Sequence, residues 1–117
     1  MTPLQSFNEE QRARWNGVDG QYWAEQQDKL DKMLEPVLTA LLEFAEPLEG
    51  STVLDVGCGC GVTTVELAQM VGPRGKAVGL DVSEPMLEVA KERLAAFPQA
   101  ECRLGDAMEV PLAGLEV

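Results

Sequence analysis

The chain is 117 residues long, and its composition, 45% hydrophobic and 25% charged, is ordinary for one globular domain. Nine basic residues against twenty acidic ones give a formal net charge of −11, which disfavours nucleic acid and anionic lipid as direct partners. No stretch approaches the ~18 apolar residues that span a bilayer, and residues 1–14 lack the apolar segment of a signal peptide, so we expect a cytoplasmic location without a membrane partner.

The first fifty residues are predicted to form a helical extension. Residues 1–20 are polar, with turn signals at Asn16-Gly17 and at Asp19-Gly20. From about residue 21 to 46, apolar residues recur at the spacing of one helix face, which predicts an amphipathic helix. This face comprises Leu30, Met33, Leu34, Val37, Leu38, Leu41, Leu42 and Ala45. Pro36 lies within the segment and predicts either a kink or a second helix with Pro36 in its first turn.

The residues from 51 to 117 alternate between strand and helix patterns. Strands are predicted at 52–56, 76–82 and 101–104, and the first helix at 62–71. Ser83 is a predicted N-cap, with Pro85 in the first turn of a helix that Pro98 ends. A β-α-β-α-β order with short links predicts parallel strands and right-handed crossovers. We therefore predict an α/β fold in which residues 51–117 form the ligand-binding unit and residues 1–50 an extension.

A glycine-rich loop joins the first predicted strand to its helix. Residues 53–61 read VLDVGCGCG, with Gly57, Gly59 and Gly61 at every second position and Asp55 ahead of them. Glycines allow a ligand to approach the backbone there, although a tight turn without a ligand fits the same pattern. Dinucleotide folds instead use G-x-G-x-x-G against a pyrophosphate, beside which an acid is unfavourable. The acid favours a ligand that carries an ammonium group.

Asp81 ends the second predicted strand, twenty residues after Gly61. An acid at this place accepts hydrogen bonds from a ribose diol. A ligand that carries a ribose at one end and an amino acid at the other matches S-adenosylmethionine. We predict this cofactor and rank a nicotinamide dinucleotide well below it.

Together, VLDVGCGCG, GLDVS and LGDA resemble the class I S-adenosylmethionine-dependent methyltransferases, from about residue 12 to the end. The resemblance points to the small-molecule branch that includes the ubiquinone/menaquinone-type enzymes. It implies a Rossmann-like sheet with strand order 3-2-1-4-5-7-6, of which this chain carries only the first half and stops where a fourth strand is due. Residues 51–117 would then be the cofactor-binding half of that domain.

The resemblance also assigns ligand contacts to residues of this chain. Asp55 and the loop Gly57, Cys58, Gly59 and Gly61 would hold the methionine part of the cofactor, and Asp81 the ribose. The adenine would contact Val82, Met86, Asp106 and Ala107. Three of these positions have a plainer interpretation from the residues alone: Met86 as core, Asp106 as a turn residue, and Cys58, like Cys60 in the same loop, as a small loop filler rather than a reactive thiol.

The stretch RWNGVDGQYWAEQ, residues 14–26, concentrates three aromatic residues, Trp15, Tyr22 and Trp23. In the resembling enzymes such a segment caps the cofactor, and rings with one polar tip suit a lid. Packing of the helical extension against the sheet explains the same residues. The sequence leaves both interpretations open.

The chain has three cysteines and no histidine, so neither a four-ligand zinc site nor a disulfide framework is expected. No general base can be assigned, and the methyl acceptor cannot be identified.

Two functions therefore remain. The first is a methyltransferase for a small molecule, in which the acceptor attacks the methyl group in line and the protein positions the reactants. The alternative is a non-catalytic module for binding S-adenosylmethionine or for dimerisation.

The first predicted strand would lie at the edge of a three-stranded sheet. Its side chains Val53, Leu54 and Val56 are apolar on both faces, with only Asp55 to discourage pairing. We therefore predict a homodimer, formed through this strand or by exchange of the N-terminal helix.

Overall fold

The computed structural model describes residues 2–109 and contains three helices followed by a β-α-β-α-β unit. Its elements are α1 (Pro3–Asn16), α2 (Val18–Glu25), α3 (Gln27–Ala45), β1 (Thr52–Val56), α4 (Val62–Val71), β2 (Lys76–Asp81), α5 (Glu84–Leu94) and β3 (Ala100–Leu104). The α/β prediction and the order of strands and helices after residue 50 are confirmed. Among the helices of residues 2–109, none has both the length and the apolar character needed to cross a membrane.

The three strands form one parallel sheet in the order β1-β2-β3. Val56 pairs with Leu80, and Asp81 pairs with Leu104, so the carboxyl ends of all three strands meet at one edge. Within residues 52–104, β1 pairs only with β2 and occupies one side of the sheet, as predicted. Because the crossovers of parallel strands are right-handed, α4 and α5 pack side by side on the same face.

Two apolar clusters hold these helices on the sheet. Leu67 and Ala68 of α4 pack with Ala77 of β2. Leu87 and Ala90 of α5 form the second cluster with a cysteine of the glycine loop. Fully burying one leucine side chain contributes about 1.5–3 kcal/mol to the stability of the fold. Because both helices are packed on the sheet in this way, their first residues are held close to the ends of the strands.

Helix α1 was not predicted from the sequence. It has no buried residue, so no apolar periodicity marks it. Its start carries a capping box, in which Thr2 and Gln5 exchange hydrogen bonds, with proline at the first helical position. The predicted break at Asn16-Gly17 is confirmed, since Gly17 separates α1 from α2. The predicted turn at Asp19-Gly20 is wrong, because both residues lie inside α2.

The predicted helix over residues 21–46 is divided at Gln26 rather than at Pro36. Pro36 lies inside α3 and does not start a new helix there. Its position is exposed, so water can hydrate the backbone carbonyl that loses its hydrogen bond to the missing N–H. Of the apolar face, only Leu30 is buried. Large exposed side chains on this helix are Met33, Leu34, Val37, Leu41 and Phe44.

The remaining differences are at element ends. Strand β2 ends at Asp81 and not at residue 82, since Val82 already belongs to the turn before α5. Helix α5 ends at Leu94, before Pro98, and β3 begins one residue earlier than predicted. The predicted N-cap is confirmed, because the Ser83 hydroxyl accepts a hydrogen bond from the N–H of Met86.

Candidate functional site

A cavity of about 380 Å³ opens at the carboxyl edge of the sheet, a size typical of small-molecule sites. Its wall is formed by Trp15, Trp23, Val56, Gly57, Gly59, Leu80, Asp81, Val82, Met86, Gly105, Asp106 and Ala107. Seven of the ten predicted ligand residues lie in this wall. The three outside it are Asp55, Cys58 and Gly61.

The loop after β1 presents backbone to the cavity. Gly57 has a φ of +75°, and a Cβ atom there would meet nothing within 4 Å. The N–H groups of Gly57 and Cys58 donate to the carbonyl of Leu80 at 2.7 and 3.1 Å, which holds the loop against β2. Within residues 2–109, no side chain caps the start of α4. The N–H groups and the positive dipole end of that helix favour an anionic group nearby.

Gly61 and Cys58 lie on the core side of this loop. A Cβ atom at Gly61, where φ is +89°, would come within 3.1 Å of the Cα of Ala90, so only glycine allows α5 to pack so closely. The Cys58 side chain belongs to the core cluster with Ala90. Burial raises the pKa of the Cys58 thiol, and it also raises the pKa of Cys60. Neither thiol is activated as a nucleophile, which agrees with the interpretation of both cysteines as loop fillers.

Asp55 lies behind the cavity wall, one residue before Val56. Its carboxylate accepts a hydrogen bond from the hydroxyl of Thr64 at 2.7 Å. Burial raises the pKa of Asp55, the hydrogen bond from Thr64 opposes that effect, and the charge of Asp81 adds to it. The two carboxylates together make this end of the cavity electronegative.

Asp81 is held by two backbone groups. Its Oδ2 accepts from the N–H of Gly59 at 2.8 Å, and its Oδ1 accepts from the N–H of Ser83 at 2.9 Å. A carboxylate has about four acceptor positions, so both oxygens keep capacity for a further donor. The carboxylate is therefore fixed in direction and still able to receive a diol.

Asp106 bridges the cavity and helix α1. Its Oδ1 accepts from the N–H of Met108 at 2.8 Å, and its Oδ2 accepts from the side chains of Asn8 and Arg12, the latter at 3.1 Å. These bonds, led by the one from Met108, lower the pKa of Asp106. The structure also joins Arg12 to Glu109 at 2.9 Å. Sequence reasoning missed Asn8 and Arg12, because a polar residue on an exposed helix carries no sign of what it will contact.

Two of the three N-terminal aromatic residues line the cavity. The rings of Trp15 and Trp23 meet edge to face, with centroids 6.2 Å apart. Tyr22 is outside the wall and 53% exposed. The tryptophans thus bring the helical extension to the cavity, and the lid interpretation stays a prediction.

The chemistry of the wall limits the ligands that it suits. Among the described residues that form the wall, only Asp81 and Asp106 are charged, and both are acceptors. Apolar side chains from β1, β2 and α5 supply surface for a flat ring. A pyrophosphate would be repelled, whereas a ligand with hydroxyl and amino donors fits. Residues 2–109 contain no group of three or more side chains arranged to hold a metal ion.

The family model described as "Methyltransferase domain" matches residues 53–116, more than half of the chain. A demethylmenaquinone methyltransferase of Staphylococcus aureus (strain JH9) is 48% identical over 63 residues, which cover 54% of this chain and 26% of that protein. The chain therefore spans about a quarter of the length of the curated relatives that it matches.

Solved structures show the same fold. A SAM dependent methyltransferase from Aquifex aeolicus has a TM-score of 0.63 and 32% identity, over 75% of this chain and 50% of that one. A coclaurine N-methyltransferase bound to N-methylheliamine and SAH has a TM-score of 0.59 and 26% identity, over 67% of this chain and 23% of that one.

Proposed function

Because this chain belongs to the methyltransferase domain family, we propose that it binds S-adenosylmethionine in the cavity at the carboxyl edge of its sheet. One observation carries the proposal: the backbone of Gly57 and the carboxylates of Asp81 and Asp106 line a single cavity. Each matches a different part of that cofactor, and the two carboxylates would repel the phosphates of a dinucleotide.

The proposed contacts follow the chemistry of each group. Asp81 would accept from the ribose hydroxyls, and Asp106 with Ala107 from the adenine amino group. Val82 and Met86 would flank the ring. The methionine part would lie along the glycine loop, with its carboxylate toward the uncapped start of α4 and its ammonium toward the electronegative end near Asp55.

The reaction proposed for the whole protein is transfer of the methyl group to a small-molecule acceptor. S-adenosylmethionine supplies an electrophilic methyl group when bound. Residues of this chain would bind and orient it, and the rings of Trp15 and Trp23, which line the cavity, would exclude water from it. The relative named for demethylmenaquinone supports an acceptor of the quinone type.

A non-catalytic module is the alternative. Among the described residues of the wall, only the two aspartates have acidic or basic side chains, and both already accept hydrogen bonds from protein groups. Such a wall can bind a ligand but offers no side chain that is free to act as a general base. Methyl transfer from labelled S-adenosylmethionine to a quinone or other small acceptor separates the two functions.

We also propose that the chain forms a homodimer in the cytoplasm. The exposed edge of β1, where Val56 is 59% exposed, and the apolar face of α3 support self-association through this strand or through an exchanged N-terminal helix. The three free cysteines support a reducing compartment.

Calorimetry tests the cofactor. We expect S-adenosylhomocysteine, the product form of the cofactor, to bind the purified chain, and NAD to give no heat beyond dilution. Binding of NAD with no response to S-adenosylhomocysteine would overturn the proposal.

A further inference from the structure

Helix α1 ends against the turn that follows Asp81. The Asn16 side chain donates to the carbonyl of Val82 at 2.6 Å and accepts from the N–H of Glu84 at 2.8 Å. The Ser83 hydroxyl donates to the carbonyl of Trp15 at 2.5 Å. Two residues of α1 thus contact all three residues that come directly after Asp81.

This turn also carries one of the two backbone groups that hold Asp81. The N–H of Ser83 supplies one of the two backbone hydrogen bonds to its carboxylate, and the other comes from Gly59 across the glycine loop. Because Asn16 fixes the peptide groups on both sides of Ser83, it fixes the direction of that N–H. Asn16 is not itself in the cavity wall.

We propose that Asn16 is a positioning residue, which sets the orientation of the Asp81 carboxylate for ligand binding. The inference rests on the proposed function and extends it to a residue that touches no part of the cavity. A carboxylate that is held in place before binding loses less entropy when a diol bonds to it. Asn16 therefore makes α1 part of the binding machinery.

A double-mutant cycle tests whether Asn16 affects ligand binding through Asp81. By calorimetry with S-adenosylhomocysteine, we expect Asn16→Ala to raise Kd about tenfold, a typical effect within one hydrogen-bond network. In an Asp81→Ala background the same change should raise Kd less than about twofold, because its target is gone. Equal effects in both backgrounds would assign Asn16 a merely structural role and overturn the proposal.

Two variants make the result specific. Asn16→Asp keeps the acceptor for the N–H of Glu84 but turns a second carboxylate oxygen toward the carbonyl of Val82, which repels it, so we expect a Kd at least as high as that of Asn16→Ala. Glu10→Ala, at an exposed position of the same helix, is the matched control and should leave Kd unchanged.

A second measurement needs no ligand. In amide NMR spectra of the free protein, the N–H resonances of Gly59 and Ser83 should move in Asn16→Ala and stay in Glu10→Ala. If the wild type binds no S-adenosylhomocysteine, the proposed function fails, and these resonances alone decide the inference. Unmoved resonances in Asn16→Ala would contradict it.

Discussion

The carboxylate of Asp81 accepts hydrogen bonds from Gly59 and Ser83, and both of its oxygens keep room for a donor from a ligand. We expect Asp81→Ala to weaken binding of S-adenosylhomocysteine by roughly 1.5–3 kcal/mol, the range for hydrogen bonds to a charged group. Calorimetry measures the loss. Glu92→Ala removes the same charge from an exposed position of α5 and serves as the control. Normal binding by Asp81→Ala would leave Asp81 with a structural role only.

Asp55 differs from Asp81, because burial raises its pKa. In the unfolded chain this carboxyl ionises near pH 4. Between that pH and the higher pKa of the folded state, the unfolded chain has released the proton while the folded protein still holds it. The free energy of unfolding therefore falls as the pH rises through this range. Above that folded-state pKa the loss is complete.

We therefore expect Asp55→Asn to raise the free energy of unfolding at pH 7 by about 0.5–2 kcal/mol, as stabilising changes at functional sites commonly do. The gain should vanish near pH 3, where Asp55 is protonated. Thermal unfolding at both pH values measures it, with Asp19→Asn as a control on α2. A variant that is less stable at pH 7 would show that the bond from Thr64 outweighs the cost of burial.

At the scale of elements, α2 packs against the rest of the molecule at Gly20, its buried residue. A Cβ atom there would lie 1.8 Å from the carbonyl oxygen of Trp15 and 2.7 Å from the hydroxyl of Ser83. We expect Gly20→Ala to displace α2 and to lower the free energy of unfolding by about 1–3 kcal/mol, the usual cost of overpacking.

Gln21→Ala, at the exposed neighbouring position of α2, is the control for that change. Tryptophan fluorescence should report displacement of Trp15 and Trp23 in Gly20→Ala but not in Gln21→Ala. An unchanged melting temperature in both variants would contradict the close packing of α2.

Elements with an apolar periodicity could be predicted from the sequence. The bounds of β1 and α4 match the prediction because a buried run and a glycine loop mark them. Helix α1 could not be found in that way, since it packs on the β-α-β-α-β unit through polar contacts such as those of Asn16 and Arg12. For the same reason the motif residues of the cavity could be predicted, while the residues that position them could not.

At the scale of the whole molecule, two apolar surfaces remain open among the described residues. Strand β1 offers unpaired backbone groups on one side, and α3 exposes Met33, Val37 and Phe44 at 65%, 65% and 91%. A surface of this kind favours association. We expect sedimentation velocity across a dilution series to show a homodimer at micromolar concentration.

Val37→Glu on the apolar face of α3 should shift that equilibrium toward monomer, whereas Thr39→Glu on the same helix should not. A compact wild-type monomer at micromolar concentration would contradict the association. It would direct attention to residues 110–117, which lie outside the described residues.

The central claim is that S-adenosylmethionine binds at the carboxyl edge of the sheet. The most direct test is an amide NMR titration of the chain with S-adenosylhomocysteine. We predict that the largest shifts fall on Gly57, Gly59, Val82 and Ala107, at the ends of all three strands, while residues near Pro73 and Gln99 at the opposite edge stay unchanged. Shifts confined to that opposite edge, or to the helical extension alone, would contradict the claim.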